Sequence, residues 1–504
     1  MILEKYYKKY PSIFLLILIF IISRIIYYNH FNIQFDGWTI GVYWQFFPKD
    51  LLKNDLVNSI IFNHYQPPLL NLIVGLSMKI TDKYIYILQS FYLIIGFFSF
   101  YLIYLILKKF EFTEKFSLIT TILLMIFPTT ILYENHLYKE YLTFFFIILL
   151  FYTTLNKKIY NYKDVFLISI SLSLLCLTRE TFHIFWGFIL IYFIRKNLSF
   201  SKKISVILIF SIMVSPFYLK NLIIFDKFAI SAASIYEHLN QKIDYIKEMK
   251  DPNRHSRLRS FSFGTYEDYN KFRKKGSILY DTKLYYGSGG YKKILNYKTK
   301  SRNKLLNSST LFNEVYFEVE KHRKKDFFLV LKEQPTLLFL NYLNSFTRHL
   351  FSSSDYFGFT KPNADKMKPL IKIADCIKLT PVCVYEYDFK KKISYIGGNS
   401  YVSIDTGPLS YSEKIIYSIQ YTNFLLIIIY IYLLFILAKK LFIKKEYDII
   451  TFWLFTFFFI FSMLIIFEDG EISRHRFPFD YLCLLIFLKN LNLRFFKNGK
   501  FIKK

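Results

Sequence analysis

Two stretches of 24 residues, 84–107 and 415–438, contain no Asp, Glu, Lys or Arg. A helix needs roughly 20 mainly apolar residues to cross ~30 Å of hydrocarbon. Uninterrupted apolar runs of this length leave a chain few folds outside a bilayer. The composition agrees: 53% of the 504 residues are hydrophobic and 21% are aromatic. Soluble, disordered and fibrous classes fit poorly, and a polytopic membrane protein fits well. The formal charge of +29 would ordinarily suggest a nucleic-acid partner, so its distribution needs an explanation.

Further apolar segments lie at 11–28, 116–132, 141–155, 165–178, 182–194, 204–224, 449–467 and 477–488. The first runs into Arg24 and a Tyr/Asn/His stretch rather than a small-residue cleavage site, so it is not a removable signal. The fourteen residues 67–80 are short for a crossing. If they stay on the surface and the N-terminus is cytoplasmic, the inside segments hold 23 basic and 3 acidic residues, while the short outside loops hold few basic ones. A crossing at 67–80 would invert this positive-inside pattern, and is rejected. The expected fold is therefore an all-α polytopic membrane protein with about ten transmembrane helices and both termini cytoplasmic.

Four parts follow. Residues 1–225 form an N-terminal transmembrane module with a first outside loop at 29–83 carrying juxtamembrane helices. Residues 226–412 form a mixed extracytoplasmic domain, with an interfacial helix near 326–351. Residues 413–490 hold the last three spans, and 491–504 form a basic cytoplasmic tail. The outside loop carries 32 basic and 19 acidic residues, and long loops translocate largely regardless of charge. The excess charge is thus mainly a topological signal facing an anionic inner leaflet, and no nucleic-acid partner is expected. Cys376 and Cys383 both fall in this loop, where a local disulfide and a pair of free thiols are both open. Cys176 and Cys483 fall in apolar spans and read as packing residues.

The short outside loops carry polar groups that helix packing does not require. They hold Asp36-Gly37-Trp38, then His64-Tyr65-Gln66-Pro67-Pro68-Leu69, then Glu134-Asn135-His136 and Lys139-Glu140. Later come Arg179-Glu180-Thr181, Glu471, and Arg474-His475-Arg476. The stretch between 41 and 61 alternates aromatic and polar residues, as an interfacial helix does. Carboxylates here can act as general bases or hold a divalent ion. Arginines at the same depth can clamp a phosphate through charge-assisted hydrogen bonds. Charges at helix ends are more often solvated or snorkelling, and Arg24 and Lys220 are assigned to that class. Arg179 is not, because its turn is too short to reach far into water.

This constellation resembles the GT-C superfamily of membrane glycosyltransferases, in particular the protein O-mannosyltransferase and aminoarabinose transferase branch (family 39-like). Asp36 matches the acid of the first outside loop, and Gln66-Pro67-Pro68-Leu69 matches a His-Pro-Pro-Leu-like stretch. Lys139-Glu140-Tyr141-Leu142 matches the acidic motif entering the fourth helix, and Leu177-Thr178-Arg179 the turn ending the fifth. Arg474-His475-Arg476-Phe477-Pro478 matches an Arg-Tyr-Arg-x-Pro motif, and Glu333-Gln334-Pro335 a helix before the C-terminal spans. Gln66 stands where the family has His, and Gly37 where many relatives have a second acid.

The resemblance implies transfer of a sugar from a polyprenyl-phosphate donor, with inversion, on the extracytoplasmic face of a bacterial inner membrane. The acceptor is a lipid-linked glycan, a lipid A-like molecule or a protein. Asp36 would be the base and Glu140 the second acid. Arg179, Arg474, Arg476 and Lys139 would hold the donor phosphate, and His64, Gln66, His136 and Glu471 would position the acceptor. One Asp and one Glu in separate loops are too few ligands to specify a metal, so use of a divalent ion stays open. The alternatives are a flippase or transporter of lipid-linked glycans, which would favour charges at mid-membrane, and an O-antigen polymerase or ligase.

Overall fold

The computed structural model describes residues 11–40, 45–155, 159–231, 361–381, 421–467 and 472–491. It also describes short pieces at 283–286, 292–295, 302–308, 312–314, 384, 394–395, 401–402 and 419, and isolated positions between 328 and 351. The helices, numbered among these residues, begin with α1 (Pro11–Asn29), α2 (Lys49–Asn54), α3 (Leu56–Phe62), α4 (Leu69–Ile80) and α5 (Tyr84–Lys109). There follow α6 (Glu114–Met125), α7 (Pro128–Glu134), α8 (Lys139–Thr154), α9 (Tyr162–Thr178), α10 (Ile184–Ile194) and α11 (Phe200–Phe225). The last are α12 (Lys361–Ile377), α13 (Phe424–Ala438), α14 (Ile449–Phe467) and α15 (Ile472–Asn490). Strand β1 (Lys283–Tyr286) pairs antiparallel with β2 (Lys292–Leu295), and β3 (Ser394–Tyr395) with β4 (Tyr401–Val402).

Four helices are long and apolar enough to cross a membrane: α1, α5, α11, and α13 with its π-helical extension to Lys444. A fifth crossing arises if the bent pair α6 and α7 counts as one. Their outer faces carry exposed large apolar side chains, among them Ile25, Ile212 and Ile431. That much exposed hydrocarbon fits lipid rather than water. The described residues are therefore those of a mostly helical membrane protein.

Local chemistry explains where the helices depart from the apolar runs. The run at 116–132 is bent by 57° between α6 and α7. Pro128 opens α7 at its first turn, a position where its missing N–H costs nothing but where it cannot continue a preceding helix. Within the run at 415–438, α13 begins at Phe424. Asn423 caps it by accepting a hydrogen bond from the Leu426 amide, while Thr422 bridges to Phe351 in extended pairing. The interfacial helix read between 41 and 61 is two short helices, α2 and α3, broken at Asp55; residues 41–44 lie outside the described residues. Helix α4 has only 12 residues, too few to span, and lies against α2 and α3. Most of 326–351 also lies outside the described residues.

Helix α8 is the axis of the packing. Thirteen of its 16 residues are buried, as befits a helix apolar on every side. It packs against α5, α9 and α15. Glycine permits one close approach. A Cβ on Gly96 of α5 would lie 2.5 Å from the Tyr141 hydroxyl and 2.6 Å from Glu134 Oε2.

That approach completes a buried ion pair that the sequence reading misassigned. Arg24 is not solvated or snorkelling. It is 4% exposed and donates from Nε to Glu134 Oε1 (2.8 Å) and from Nη2 to Oε2 (2.6 Å). Tyr141 Oη donates to the same carboxylate at 2.9 Å, and Arg24 Nη1 donates to the Met125 carbonyl at 3.1 Å. A bidentate pair of this kind holds α1 to the α6–α8 corner. Lys220 likewise turns inward, donating to the carbonyls of Ile60 and Asn63 and so tying α11 to α3.

Breaking a buried pair by removing one member typically costs about 3–5 kcal/mol, while replacing both can be neutral. Arg24→Met should therefore lower the thermal unfolding midpoint of the detergent-purified protein by several degrees. Arg24→Met/Glu134→Leu should regain most of the loss. Equal losses in the single and double variants would show that the pair does not hold the corner.

Candidate functional site

The site is assembled at the N-terminal end of α8, where the loops after α1, α7 and α9 meet the first turn of α15. Asp36 pairs in parallel with His136: its amide donates to the Asn135 carbonyl (2.8 Å) and its carbonyl accepts from the Leu137 amide (3.3 Å). This fixes Asp36 opposite His136, three positions before the start of α8. Its carboxylate stays half-buried and accepts from the Trp38 amide at 2.7 Å, closing an Asx turn. Gly37 has a local reason for carrying no second acid: a Cβ there would lie 2.4 Å from Ile85 Cδ1. Just before Asp36, Gln34 exchanges backbone hydrogen bonds of 3.1 and 2.8 Å with the Asn363 side chain, and Lys366 donates to the Asn32 carbonyl. Helix α12 thus grips the segment that carries Asp36.

Two ion pairs occupy the first turn of α8. Lys139 Nζ donates to both oxygens of Glu180 (2.8 and 2.9 Å) and to Gln66 Oε1 (3.3 Å). Glu140, fully buried, has Arg474 Nε at 3.1 Å, Arg179 Nη1 at 3.6 Å and His475 Nδ1 at 3.9 Å from its Oε1. These are charge contacts rather than aligned hydrogen bonds, since neither Glu140 oxygen has a hydrogen-bond partner. A carboxylate in the first turn of a helix is also favoured by the helix dipole. Arg179 is held at the end of α9 in extended backbone, its amide donating to the Leu175 carbonyl at 3.1 Å. Arg474 lies in the first turn of α15 with its guanidinium 5.8 Å from the Tyr138 ring centre.

The structure therefore joins Gln66, Lys139, Glu140, Arg179 and Arg474 into one buried cluster, with Asp36 and His136 on the adjoining segment. Two other expected residues are engaged elsewhere. Arg476 donates to Asp480 of its own helix at 2.8 Å and to the His349 carbonyl. His64 stacks near Phe225, 5.0 Å between ring centres, with Nδ1 3.3 Å from the Phe62 carbonyl. Glu471 and Cys383 lie outside the described residues. Cys376 is disulfide-bonded, whereas Cys176 and Cys483 are free. Among the described residues no three His, Cys, Asp or Glu side chains are grouped closely enough to hold a metal ion.

The sequence reading gave Glu180 and His475 no role. The signal for Glu180 was its place beside Arg179 in the same three-residue turn. Burial pushes the Glu180 carboxyl up, but Lys139 and Arg179 outweigh it and hold the group below its usual range. Glu180 is thus ionised at neutral pH. Burial lowers His136 below the ordinary imidazole value against the opposing pull of the Leu132 carbonyl and Asp36, so it is neutral there. His64 is driven down to about 3 by burial, against the pull of its bond to the Phe62 carbonyl.

No family model, curated protein or solved structure matches the chain.

The lowered value of His64 has a definite sign. Between the free imidazole value of about 6.5 and about 3 the unfolded state binds the extra proton, so stability is full above that window and falls as pH drops into it. The slope is about 1.4 kcal/mol per pH unit. Thermal unfolding in detergent should therefore shift downward between pH 7.5 and 5.5, and His64→Asn should flatten that dependence. An identical pH profile in the variant would contradict the burial of a neutral His64.

Proposed function

We propose that this chain is an integral-membrane glycosyltransferase of the GT-C kind. It transfers a sugar from a polyprenyl-phosphate donor to a hydroxyl of a lipid-linked glycan, lipid A-like or protein acceptor on the extracytoplasmic face, with inversion. The observation that carries the reading is the cluster itself. Lys139, Glu140, Arg179 and Arg474 come from three segments up to 335 positions apart and meet in one buried layer at the helix ends. Packing alone gives no reason to gather buried charges there, since ion pairs can be replaced by apolar side chains without loss of stability.

In this reading the chain crosses a bacterial inner membrane ten times with both termini cytoplasmic, which accounts for the basic inside segments. The partly exposed Asp36 carboxylate takes the proton of the acceptor hydroxyl as its oxygen attacks the anomeric carbon. The bond from that carbon to the phosphate oxygen breaks, and the lipid phosphate leaves with the electron pair. Arg179 and Arg474 stabilise the charge that develops on it. Glu140 is a positioning residue in this scheme, because both guanidinium groups are set against its carboxylate. Arg476, turned to Asp480 and His349, supports the helix rather than the phosphate.

General-base catalysis is worth about 10²–10⁴-fold, and one preorganised charge donor about 10²–10³-fold. Asp36→Asn should lower transfer by about the first factor while leaving insertion and folding intact. Arg179→Ala should lower it by about the second. The direct test is mass spectrometry of surface glycans from cells with and without the chain, repeated with Asp36→Asn. Loss of one sugar in both the null and the variant supports the reading. Unchanged glycans together with protein-dependent movement of lipid-linked sugar between leaflets would replace it with a flippase.

A further inference from the structure

Resting on the donor-phosphate reading above, we infer that Glu180 determines which phosphate the site accepts, admitting a monophosphate lipid and turning away a diphosphate. The argument begins with exposure. The Lys139, Glu140, Arg179 and Arg474 side chains are all 3% exposed or less, whereas the Glu180 carboxylate is 29% exposed. Glu180 is the charged member of the cluster that stands toward solvent, where an arriving head group first meets it.

Glu180 is also tightly held. Both of its oxygens contact the Lys139 ammonium within 2.9 Å. Its charge is felt by Arg179 as well as Lys139. A second observation points to a ligand beside it. Gln66 presents its Oε1 to Lys139, yet its Nε2 is buried with no hydrogen-bond partner. That donor, next to the ammonium, suits an anionic oxygen. A phosphodiester brings about one negative charge to this place, and a diphosphate brings at least one more. A fixed carboxylate a few ångström away in a water-poor site repels each added charge strongly. Glu180 therefore weakens every anion and weakens the more highly charged one most, while the arginines retain the single charge.

The test uses the full chain purified in detergent and two probes, a C55 polyprenyl monophosphate and the corresponding diphosphate. Affinities are read by native mass spectrometry for the wild type, E180Q, K139Q and K139Q/E180Q. The wild type should hold the monophosphate at least about tenfold more tightly than the diphosphate. E180Q should bring the ratio to about one or reverse it. K139Q should sharpen the monophosphate preference, and the double variant should return it toward that of the wild type. An unchanged ratio in E180Q, with monophosphate still bound, overturns the role of Glu180 and leaves the donor site standing. A wild type that binds neither probe overturns the donor site and the inference together. If E180Q does not fold, the comparison of K139Q with K139Q/E180Q decides. Removing Glu180 must then move the ratio toward diphosphate, and a fixed ratio overturns the proposal.

Discussion

The carboxylate of Glu140 is fully buried at the start of the largely buried helix α8, with two guanidinium groups and an imidazole around one of its oxygens. Taking such charges out of water costs several kcal/mol per ion even after relaxation. The cost is tolerable only if the partners arrive together. The end of α9 and the beginning of α15 must therefore meet the beginning of α8 in one layer, and the apolar walls of these helices are packed to bring that about. The aromatic surround serves this registration. Tyr133 stacks on Phe477 at 3.8 Å between ring centres, and Tyr92 stacks on Tyr141 while donating to the Tyr138 carbonyl.

A second buried pair, Arg24 with Glu134, has a different character. Its geometry is bidentate, its remaining lone pair takes a tyrosine hydroxyl, and a glycine on α5 makes room for it. Such closure is what a structural pair requires. The cluster at Glu140 is less well closed in hydrogen-bond terms, and the buried Gln66 Nε2 nearby adds another unsatisfied group. Buried polar groups without hydrogen bonds are expensive. Their presence at one layer, beside a partly exposed Asp36, distinguishes this cluster from the corner at Glu134, and it is this difference that supports the proposed phosphate site.

Much of this was legible in the chain. Charge-free runs of membrane length announce α5 and most of α13, because the hydrocarbon thickness sets a length that sequence can match. Arg179 was legible because a three-residue turn cannot carry its charge to water, and attention to the same turn would have found its neighbour Glu180, which pairs with Lys139. Other features depend on single local interactions that no hydropathy average contains. The start of α13 is capped by Asn423, and the bend after α6 is the work of Pro128. The pairing of Arg24 with Glu134 spans 110 positions and is decided by tertiary packing alone. The fate of Arg476 was equally hidden, since two arginines at i and i+2 look alike until the helix turns one toward Glu140 and the other toward Asp480.

The central claim is that a lipid phosphate is held by the arginines gathered around Glu140. An electron cryo-microscopy structure of the full chain in lipid nanodiscs, with a C55 polyprenyl monophosphate added, tests it most directly. The account predicts phosphate density within about 3 Å of the guanidinium nitrogens of Arg179 and Arg474, the distance of a charge-assisted hydrogen bond. Density for the bound lipid phosphate at any other place, with the Glu140 layer closed over by side chains, would contradict it.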